Sequence, residues 1–562
     1  MSKSTEKVEE IPHVFMNESS ILIKAKHINK LLKNECTIQK LKKSFTKVME
    51  DKFGTRTTKL YAGFRYNKEE YYCFPRFAAA QSNKYNLKKY LILSKKTIKV
   101  HKNLYKFPEK LENIAYEGIL RKHQDIVVTH LLKYHYFNGK YLDIQNNNDI
   151  DLSNNKNSDV AAKLFVRMSR QGLVLKMETG RGKTHTAFGI MDNLKVRTLI
   201  VVPTKPLKEQ WYDQIKKFIP DANVVQYNPA KSMDVFEGDI LIGVINGLLK
   251  KDRKFFSNFG LSIFDEVHKY SSRTNKKIFR LASSFYMLGM TATPERIDQQ
   301  EIVNYLGCGP LVDSMDIPTY SDNISNIEFN SYIRVINYYG PDELTKAIVN
   351  PKTEALSYTG MVNQLIEDDF RNQIIVDKTV ELVLSGTPTF IFSAQRDHLD
   401  TLSDMINEKV NSMIDNIDNS DDISIDDIME DSTNIPNYIN DKISPYVIPD
   451  ISKEILRGGV NMKKMEEDIK KSNLILATYQ FLDTGISIPH MEGIFLSIPR
   501  KNSLSQPLGR ILRIDGNIEN DRIVYDLVDS RTALKNQYYT RKKTYKEKGF
   551  KIDSFERIEY VE

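Results

Sequence analysis

Residues 178–184, Glu-Thr-Gly-Arg-Gly-Lys-Thr, restrict the possible folds more than any other segment of this chain. They follow a short apolar run and precede a helical pattern, which predicts a strand, a tight loop and a helix in succession. Gly180 and Gly182 let the loop turn sharply and direct its N–H groups at phosphate oxygens. Lys183 can reach phosphates, and Thr184 supplies a hydroxyl for Mg²⁺. The segment therefore predicts a phosphate-binding loop within an α/β fold.

A pair of carboxylates follows another apolar run, Leu261–Phe264. Asp265 and Glu266 would lie at the carboxyl end of that strand, where ligands bind in open parallel sheets. One carboxylate is expected to hold Mg²⁺, and its neighbour to orient and deprotonate a water molecule. Two adjacent buried acids are costly without a cation. Together with the loop, the pair predicts a site that hydrolyses ATP with Mg²⁺.

Short apolar runs alternate with amphipathic stretches in two parts of the chain. In the first part the predicted strands are Gly172–Lys176, Thr198–Pro203, Asp239–Val244, Leu261–Phe264 and Met287–Met290, with a helix at Pro206–Phe218. In the second part the predicted strands are Thr389–Phe392, Leu474–Ala477, Gly493–Ile498 and Arg522–Leu527, with helices at Arg371–Leu384, Gln395–Asn407 and Ser503–Leu512. Such alternation is typical of parallel sheets with crossover helices. The predicted fold class is α/β with two parallel-sheet lobes.

The N-terminal region is basic, with 25 Lys and Arg against 10 Asp and Glu in the first 110 residues. This surplus fits either a polyanionic partner, with nucleic acid the first candidate, or a solvated lysine-rich surface. Aromatic and basic side chains also alternate within it, at Tyr61, Phe64, Arg65, Tyr66, Lys68, Tyr71, Tyr72, Phe74, Arg76 and Phe77. They fit a base-stacking platform or, as we favour, a small β-rich domain with aromatic core residues.

Several classes of protein are excluded by composition. Cys36, Cys73 and Cys308 are widely spaced and form neither a disulfide framework nor a zinc pattern. No run approaches the roughly 18 apolar residues of a membrane span, and the first residues lack the apolar core of a signal peptide. We expect a protein that is neither secreted nor inserted in a membrane.

Biased segments and changes of pattern give the expected domain boundaries. An asparagine-rich patch at 137–159 predicts a loop, and an Asp/Ser/Asn/Ile tract at 411–443 predicts an exposed acidic insertion. The expected domains are a basic α+β accessory domain at 1–112, a first lobe at 113–310, a second lobe at 311–530, and a basic helix and tail at 531–562.

Further motifs, in the order in which they occur, resemble those of superfamily 2 helicases. They are Leu120–Gln124, Val202–Leu207 with Gln210 and Trp211, Asp265–His268, Thr291–Pro294, Ala477–Thr478 continuing through Asp483–Pro489, and Gln506–Arg513. The resemblance covers about residues 120–530 of the sequence. It implies two RecA-like lobes with ATP in the cleft between them, and lobe motion driven by hydrolysis.

The resemblance also implies roles for individual residues. For ATP it indicates Gln124, Thr179, Gly180, Gly182, Lys183, Thr184, Asp483 and Gly485, with Thr184 and Asp265 on Mg²⁺. For catalysis and coupling it indicates Glu266, Gln506, Arg510 and Arg513, and then His268, Thr291 and Thr293. For the nucleic-acid backbone it indicates Pro203, Thr204, Lys205, Asn246, Ser393, Arg396 and Thr478.

Three positions depart from the family pattern, and Trp211 has an expected structural role. Met177 stands where the strict loop pattern has its first glycine, and Ser487 where many relatives have an aspartate. Asn246 replaces a more usual Ser or Thr, although its amide can still contact a strand. Trp211, the single tryptophan, sits at helical spacing from its apolar neighbours and is expected to pack in the core.

Within superfamily 2, Phe370–Gln373 and Thr389–Phe392 most resemble the group of XPB-like repair helicases and the poxvirus transcript-release helicase. That group implies a monomeric, ATP-dependent DNA helicase or translocase moving 3′ to 5′. Its setting would be viral transcription or DNA processing in the cytoplasm, a viral factory or a virion, with RNA polymerase or replication and repair proteins as partners. An RNA helicase or ribonucleoprotein remodeller is the alternative. A catalytically silent architectural subunit is disfavoured because the ATP motifs are complete.

Overall fold

The structure is a computed structural model that divides into two compact units, Met1–Ser325 and Asn326–Glu562. It describes residues 14–16, 20–33, 36–51, 54–66, 69–79, 87, 90–91, 98–100, 108–136, 171–231, 233, 236–295, 300–323, 330–350, 354–418, 451–456, 467–469, 471–479, 488, 490–498, 504–512 and 520–561. The asparagine-rich patch at 137–159 and the insertion residues 419–443 lie outside these ranges. No helix in the described ranges is long and apolar enough to cross a membrane.

The N-terminal region contains a mixed sheet and a hairpin. Its strands are β1 (Val14–Met16), β2 (Ser20–Lys24), β3 (Thr46–Asp51), β4 (Gly54–Lys59), β5 (Ala62–Tyr66), β6 (Glu69–Pro75) and β7 (Ile98–Val100). The sheet order is β5-β6-β2-β1-β7, and β3 pairs with β4. Helices Ile28–Leu31 and Ile38–Ser44 complete the region. Phe74 and Phe77 are buried, which agrees with the interpretation that the aromatic residues fill a core.

The first lobe is built on a parallel sheet of seven strands. They are β8 (Gly172–Lys176), β9 (Thr198–Val202), β10 (Val224–Gln226), β11 (Ile240–Val244), β12 (Leu261–Asp265), β13 (Tyr286–Thr291) and β14 (Leu311–Asp313). Their order is β10-β11-β9-β12-β13-β8-β14. The helices are Lys122–Leu131, continued by a π-helix at Leu132–Tyr136, and Lys183–Leu194, Lys205–Phe218, Ile245–Leu248, Arg253–Phe256, Ile278–Leu281, Ile302–Cys308 and Tyr320–Asn323.

The second lobe repeats this arrangement. Its strands are β15 (Ser331–Tyr339), β16 (Thr389–Ser393), β17 (Lys453–Leu456), β18 (Leu474–Thr478), β19 (Gly493–Leu496), β20 (Arg522–Asp529) and β21 (Lys551–Glu559). All pairs are parallel, in the order β17-β18-β16-β19-β20-β15-β21. Counted along the chain, both sheets therefore have the order 3-4-2-5-6-1-7. The helices are Tyr358–Ile366, Asp369–Leu384, Arg396–Asp418, Ser505–Ile511 and Gln537–Glu547.

The predicted α/β fold with two parallel-sheet lobes is confirmed, and the predicted strands agree with the observed ones to within two residues at each end. The differences lie at the sheet edges. Residues 311–313, assigned from sequence to the second lobe, form β14 and pair with β8 of the first sheet. Residues 551–559, expected as a tail, form β21 because they pair along β15. The helix that begins at Arg396 continues to Asp418, into the start of the predicted insertion.

Three neighbouring strands of the first sheet end at the same edge. In the parallel register Asp265 lies opposite Met290, and Thr291 lies opposite Lys176. The ends of β12, β13 and β8 are therefore adjacent, although more than a hundred residues separate Lys176 from Thr291 in sequence. Parallel topology thus brings the predicted loop and the predicted carboxylate pair to one carboxyl edge.

Candidate active site

The phosphate-binding loop joins β8 to the helix Lys183–Leu194. Gly180 and Gly182 both have φ of 81°, in the left-handed region that other residues adopt only with strain. A side chain at Gly182 would also collide with the amide of Gln124. Gly182 caps the helix, whose first N–H groups have no partner within the helix. The loop therefore presents the positive end of a helix, which suits phosphate oxygens.

Lys183 and Thr184 stand in the first turn of this helix. The Lys183 ammonium donates to the carbonyl oxygens of Met177 and Glu178 at 3.3 and 3.4 Å. Both distances are at the long end for hydrogen bonds. The ammonium is thus held beside the loop by weak contacts that charged phosphate oxygens can replace. The Thr184 side chain is half-buried at the start of the helix.

Gln124 closes the opposite side of the loop. Its side chain is buried, its carbonyl oxygen accepts the Arg121 N–H at 2.9 Å, and its amide donates to the Arg181 carbonyl at 3.2 Å. His123 contacts the same carbonyl at 3.1 Å. The segment that carries Gln124 is therefore joined to the phosphate loop through the Arg181 carbonyl.

Asp265 is buried at the end of β12 and is held by two neutral donors. The Trp211 indole N–H donates to one carboxylate oxygen at 2.8 Å, and the Glu266 backbone N–H donates to the other at 2.9 Å. Burial, followed by the nearby Glu266 carboxylate, raises the pKa of Asp265 to about 6. The Trp211 hydrogen bond and the Lys183 ammonium act in the opposite direction. In the described part of the chain, no Lys, Arg or His forms an ion pair with Asp265.

Glu266 has an unusual backbone and a largely buried side chain. Its φ of 49° places a non-glycine residue in the left-handed region, which costs about 1–3 kcal/mol. Its Oε2 is buried and lies 3.3 Å from Nδ1 of His268. The same His268 nitrogen lies 2.9 Å from the Thr291 hydroxyl, which in turn accepts the Thr293 N–H at 3.1 Å. A chain of polar contacts therefore leads from Glu266 to the segment that follows β13.

The residues around Asp265 fit a magnesium ion. A bound divalent ion would stabilise the buried carboxylate of Asp265. It would also stabilise the buried Oε2 of Glu266, which has no hydrogen bond in the described part of the chain. No cluster of three or more His, Cys, Asp or Glu side chains that could hold a metal occurs in the described ranges. Proteins usually bind Mg²⁺ through one or two carboxylates together with substrate phosphates.

The nucleic-acid residues predicted in the first lobe lie at the same edge of the sheet as the phosphate loop. Pro203 and Thr204 follow β9, and Lys205 begins the next helix with an exposed side chain. Asn246 follows β11 and is exposed. The edge therefore carries both predicted sets of residues, on neighbouring strands.

The structure describes some of the predicted site residues of the second lobe and not others. Arg396 is exposed at the start of its helix, and Thr478 is buried at the end of β18. Ser393 is also buried, and its hydroxyl lies 2.9 Å from Nδ1 of His398. Its hydroxyl thus serves an internal contact and is not presented at the surface. Arg510 is largely buried, while Asp483, Gly485, Arg513 and the Gln506 side chain lie outside the described residues.

Trp211 contributes to the site in a way that sequence reasoning missed. It is buried and packs edge-on against Phe188 at 5.7 Å, so the expected core role is observed. Its N–H nevertheless fixes Asp265. A buried indole needs an acceptor, and the helix after β9 packs on the sheet that ends in Asp265. From the sequence, the need of a buried tryptophan for an acceptor could have been recognised. Only the fold shows that this acceptor is Asp265.

Comparison with known proteins gives one matching family model. The model for the res subunit of type III restriction enzymes matches residues 117–296. The match spans the first lobe from just before the Gln124 motif to just beyond Thr293. It therefore includes every residue described above for the phosphate loop and the carboxylate pair.

Individual relatives match longer or shorter parts of the chain. The QP509L protein of African swine fever virus, named for an ATP-dependent RNA helicase, is 31% identical over 398 residues, covering 67% of this chain and 69% of the relative. The L396 protein of Acanthamoeba polyphaga mimivirus, similarly named, is 23% identical over 460 residues, covering 80% and 72%. The DNA 3′-5′ translocase XPB2 of Sulfurisphaera tokodaii is 35% identical over 153 residues, covering 27% and 33%.

Proposed function

We propose that this chain, which belongs to superfamily 2 of the helicases, is a DNA-dependent ATPase that moves along one strand from 3′ to 5′. As a member of that family it is an ATP-dependent helicase-type enzyme. The observation that carries the mechanism is Asp265, a buried carboxylate that is held by two neutral donors and forms no ion pair with a described Lys, Arg or His residue. Such a group is poised for a metal–nucleotide complex and not for internal stabilisation.

The phosphate loop binds the nucleotide in this proposal. The N-terminus of the helix Lys183–Leu194 attracts the phosphates, and the Lys183 ammonium exchanges its carbonyl contacts for phosphate oxygens. Asp265 and Thr184 would hold Mg²⁺, which supplies neutralisation of phosphate charge when bound. Gln124, Thr179, Gly180 and Gly182 complete the nucleotide site, with Gln124 reading the base.

Glu266 is the proposed catalytic base. Its carboxylate orients and deprotonates the attacking water, and the neighbouring His268 imidazole can respond to the charge change on Glu266. His268 also contacts Thr291, so the state of the site can reach Thr293 beyond β13. This link is the proposed path by which hydrolysis affects strand binding.

The second lobe is proposed to complete catalysis through Arg510 and Arg513, with Gln506 beside them and Asp483 and Gly485 on the nucleotide. Arginine supplies positive charge to the transferring phosphoryl group, and removing such a group typically costs several orders of magnitude in rate. This part of the proposal depends on the family resemblance of the motif Gln506–Arg513.

The strand contacts are proposed to grip the sugar–phosphate backbone. They include Pro203, Thr204, Lys205, Asn246, Arg396 and Thr478. Backbone contacts position a protein without reading sequence, so binding should be salt-dependent and weakly sequence-specific. Ser393 is assigned a positioning role through His398, since its hydroxyl is buried.

Two observations favour different nucleic acids. The similarity to the translocase XPB2 supports DNA, because that relative's name states DNA and a 3′-5′ direction. The names of the two viral relatives support RNA, so an RNA helicase is the second candidate. Viral transcription or DNA processing, in the cytoplasm or a virion and with a polymerase or repair partner, is the proposed setting.

Measuring the rate of ATP hydrolysis with single-stranded DNA, duplex DNA and single-stranded RNA tests the proposal, with Glu266→Gln as the control. DNA should stimulate hydrolysis more than RNA, and the variant should show no stimulation. A duplex with a 3′ overhang should be unwound, or a bound block displaced, faster than one with a 5′ overhang. Equal or greater stimulation by RNA would reject the DNA assignment, and absence of stimulation by any strand would reject a motor.

A further inference from the structure

A cavity of about 380 Å³ lies between the N-terminal strands and the first lobe. On the N-terminal side it is lined by Ser20, Lys59, Leu60, Cys73 and Pro75, and on the lobe side by Arg273, Lys276, Lys277, Phe279, Arg280, Val303, Leu306 and Gly307. We call it the basic pocket. Its size is within the range of small-molecule and cofactor sites.

The basic pocket lies away from the phosphate loop. The N-terminal sheet is attached where the buried Arg76 guanidinium donates to the carbonyl oxygens of Ser284 and Phe285, at 2.7 and 2.5 Å. Those residues precede β13, so the attachment is at the amino edge of the first sheet. The phosphate loop and Asp265 are at the carboxyl edge. No residue of the phosphate loop or the carboxylate pair lines the pocket.

The charge of the pocket is one-sided. Five of its lining residues are cations, Lys59, Arg273, Lys276, Lys277 and Arg280, and none of its lining residues is acidic. Within the described part of the chain none of these five side chains forms an ion pair or a side-chain hydrogen bond. By contrast, Lys24 and Lys26 of the same N-terminal region both pair with Glu69, at 2.6 and 2.7 Å.

Repulsion among these cations is visible at Lys276. Burial lowers the pKa of Lys276, and the nearby Arg280 and Arg273 lower it further. An anion bound in the pocket would relieve both the burial and the repulsion. Cations that cluster at a concave surface, with no ion pair among the described residues, favour the binding of a polyanion.

The floor of the pocket is apolar. Leu60, Phe279, Val303 and Leu306 are buried, and the Phe279 ring packs directly on the backbone of Gly307. An isolated phosphate makes no favourable contact with an apolar floor, whereas a nucleotide can place its sugar or base on it. Apolar surfaces flanked by phosphate-tracking cations are the general design of sites for single strands.

We propose that the basic pocket is an accessory binding site for a single nucleic-acid strand. This proposal rests on the proposed function in one respect, namely that the protein acts on nucleic acid. The cations contact phosphates on both sides of a nucleotide whose sugar or base lies on the apolar floor. Because none of its lining residues belongs to the phosphate loop or the carboxylate pair, the pocket can hold a strand while the first site releases and rebinds one.

The first test compares two variants of the full chain that lose the same charge. Lys276→Gln/Lys277→Gln/Arg280→Gln changes the pocket, and Lys346→Gln/Lys535→Gln/Lys551→Gln changes exposed lysines of the second unit. Affinity for a fluorescent single-stranded oligonucleotide is measured by anisotropy over a range of salt concentrations. Each lost phosphate contact lowers the slope of log affinity against log salt by about 0.7, so the pocket variant should lose about 2. The control variant should keep the slope, and neither should change ATP hydrolysis without nucleic acid.

The second test needs no substitution, because Cys73 lines the pocket while Cys36 is half-buried elsewhere in the same region. Maleimide labelling of each thiol is followed by mass spectrometry. A single-stranded oligonucleotide should slow labelling of Cys73 and not of Cys36. Protection by inorganic triphosphate alone would instead assign the pocket to a free polyphosphate. Protection by polyglutamate alone would assign it to an acidic protein, and both results overturn the proposal.

Unprotected Cys73 together with a salt slope equal to that of the control variant would also overturn it. The failure of the pocket can be separated from failure of the proposed function. Stimulation of ATP hydrolysis by DNA or RNA reports on the motor alone. A stimulated enzyme with an unprotected Cys73 rejects only the accessory site.

Discussion

The two lobes have the same strand order but stabilise their buried carboxylates in different ways. In the second lobe Asp529 pairs with the buried Arg371 at 2.6 Å, and Asp526 pairs with the buried Arg541 at 2.8 Å. In the first lobe Asp265 is equally enclosed but contacts an indole and a backbone N–H. Asp526 and Asp529 of the second lobe therefore have arginine partners, while Asp265 of the first lobe has no cationic partner among the described residues.

This difference separates a structural carboxylate from one reserved for a ligand. A carboxylate paired with a buried arginine stabilises the fold only as long as both partners remain. An unpaired buried carboxylate costs stability, and at Asp265 the cost appears as a pKa raised to about 6. A group that costs stability is retained where function needs it. The same sheet order can thus carry a carboxylate kept for a ligand, Asp265, and carboxylates paired within the fold, Asp526 and Asp529.

The largest effect that would sharpen this comparison is expected from Glu266→Gln. The glutamine keeps the size of the side chain but cannot accept a proton, so the rate of ATP hydrolysis should fall by about 10²- to 10⁴-fold. The melting temperature should stay near that of the parent, since Glu266 holds no structural ion pair with Lys or Arg in the described residues. A fall in rate accompanied by an equal loss of folded protein would instead give Glu266 a structural role.

The second lobe should respond in the opposite manner to Arg371→Met. Arg371 donates to Asp529 and to the Ser497 carbonyl, and its loss leaves a buried charge, at a cost of about 3–5 kcal/mol in the free energy of unfolding. Chemical denaturation measures this loss in the free energy of unfolding. Lys378→Met on the same helix is the control, because its pair with Glu556 is partly exposed and worth at most about 1 kcal/mol. Similar losses in both variants would contradict the account.

A smaller effect is expected from Trp211→Phe. Phenylalanine keeps the apolar ring but removes the N–H that fixes Asp265, a hydrogen bond to a charged group worth about 1.5–3 kcal/mol. The Mg²⁺ concentration that supports half-maximal ATP hydrolysis should rise by about tenfold or more. Phe188→Leu perturbs the packing of Trp211 but keeps the N–H, so it should lower the melting temperature without changing that concentration. An unchanged Mg²⁺ requirement in Trp211→Phe would leave Trp211 with packing alone.

The central strands of both sheets could be predicted from sequence because they are fully buried. The runs Thr198–Val202 and Leu474–Thr478 are fully buried and apolar except for one threonine each, which leaves little choice of structure. The edge strands could not be predicted in this way. β21, with the sequence KIDSFERIE, is mostly exposed and contains five charged residues. Its structure depends on pairing with β15, a contact between segments that are distant in sequence.

In the candidate site too, features that are local in sequence could be predicted and features that depend on tertiary contacts could not. The loop at 178–184 and the pair Asp265–Glu266 are local in sequence and were recognised from their spacing. The hydrogen bond from Trp211 to Asp265 and the buried hydroxyl of Ser393 are tertiary contacts, which no spacing encodes. What sequence could not provide was therefore the environment of each group and not its chemical type.

The most direct test of the comparison is to make the same change in both lobes, Asp265→Asn and Asp529→Asn, and to measure unfolding and ATP hydrolysis. The ordinary pKa of an aspartate is near 4, so the raised pKa of Asp265 lowers stability as pH rises from about 4 to 6, and at neutral pH the cost is about 2–3 kcal/mol. Asparagine removes this cost but loses one acceptor, worth about 1–2 kcal/mol.

At neutral pH Asp265→Asn should therefore be as stable as the parent or about 1 kcal/mol more stable, with ATP hydrolysis abolished. Asp529→Asn should lose about 3–5 kcal/mol, because Arg371 is left unpaired. Equal destabilisation by the two substitutions would contradict the account, since Asp265 would then be a structural carboxylate like Asp529.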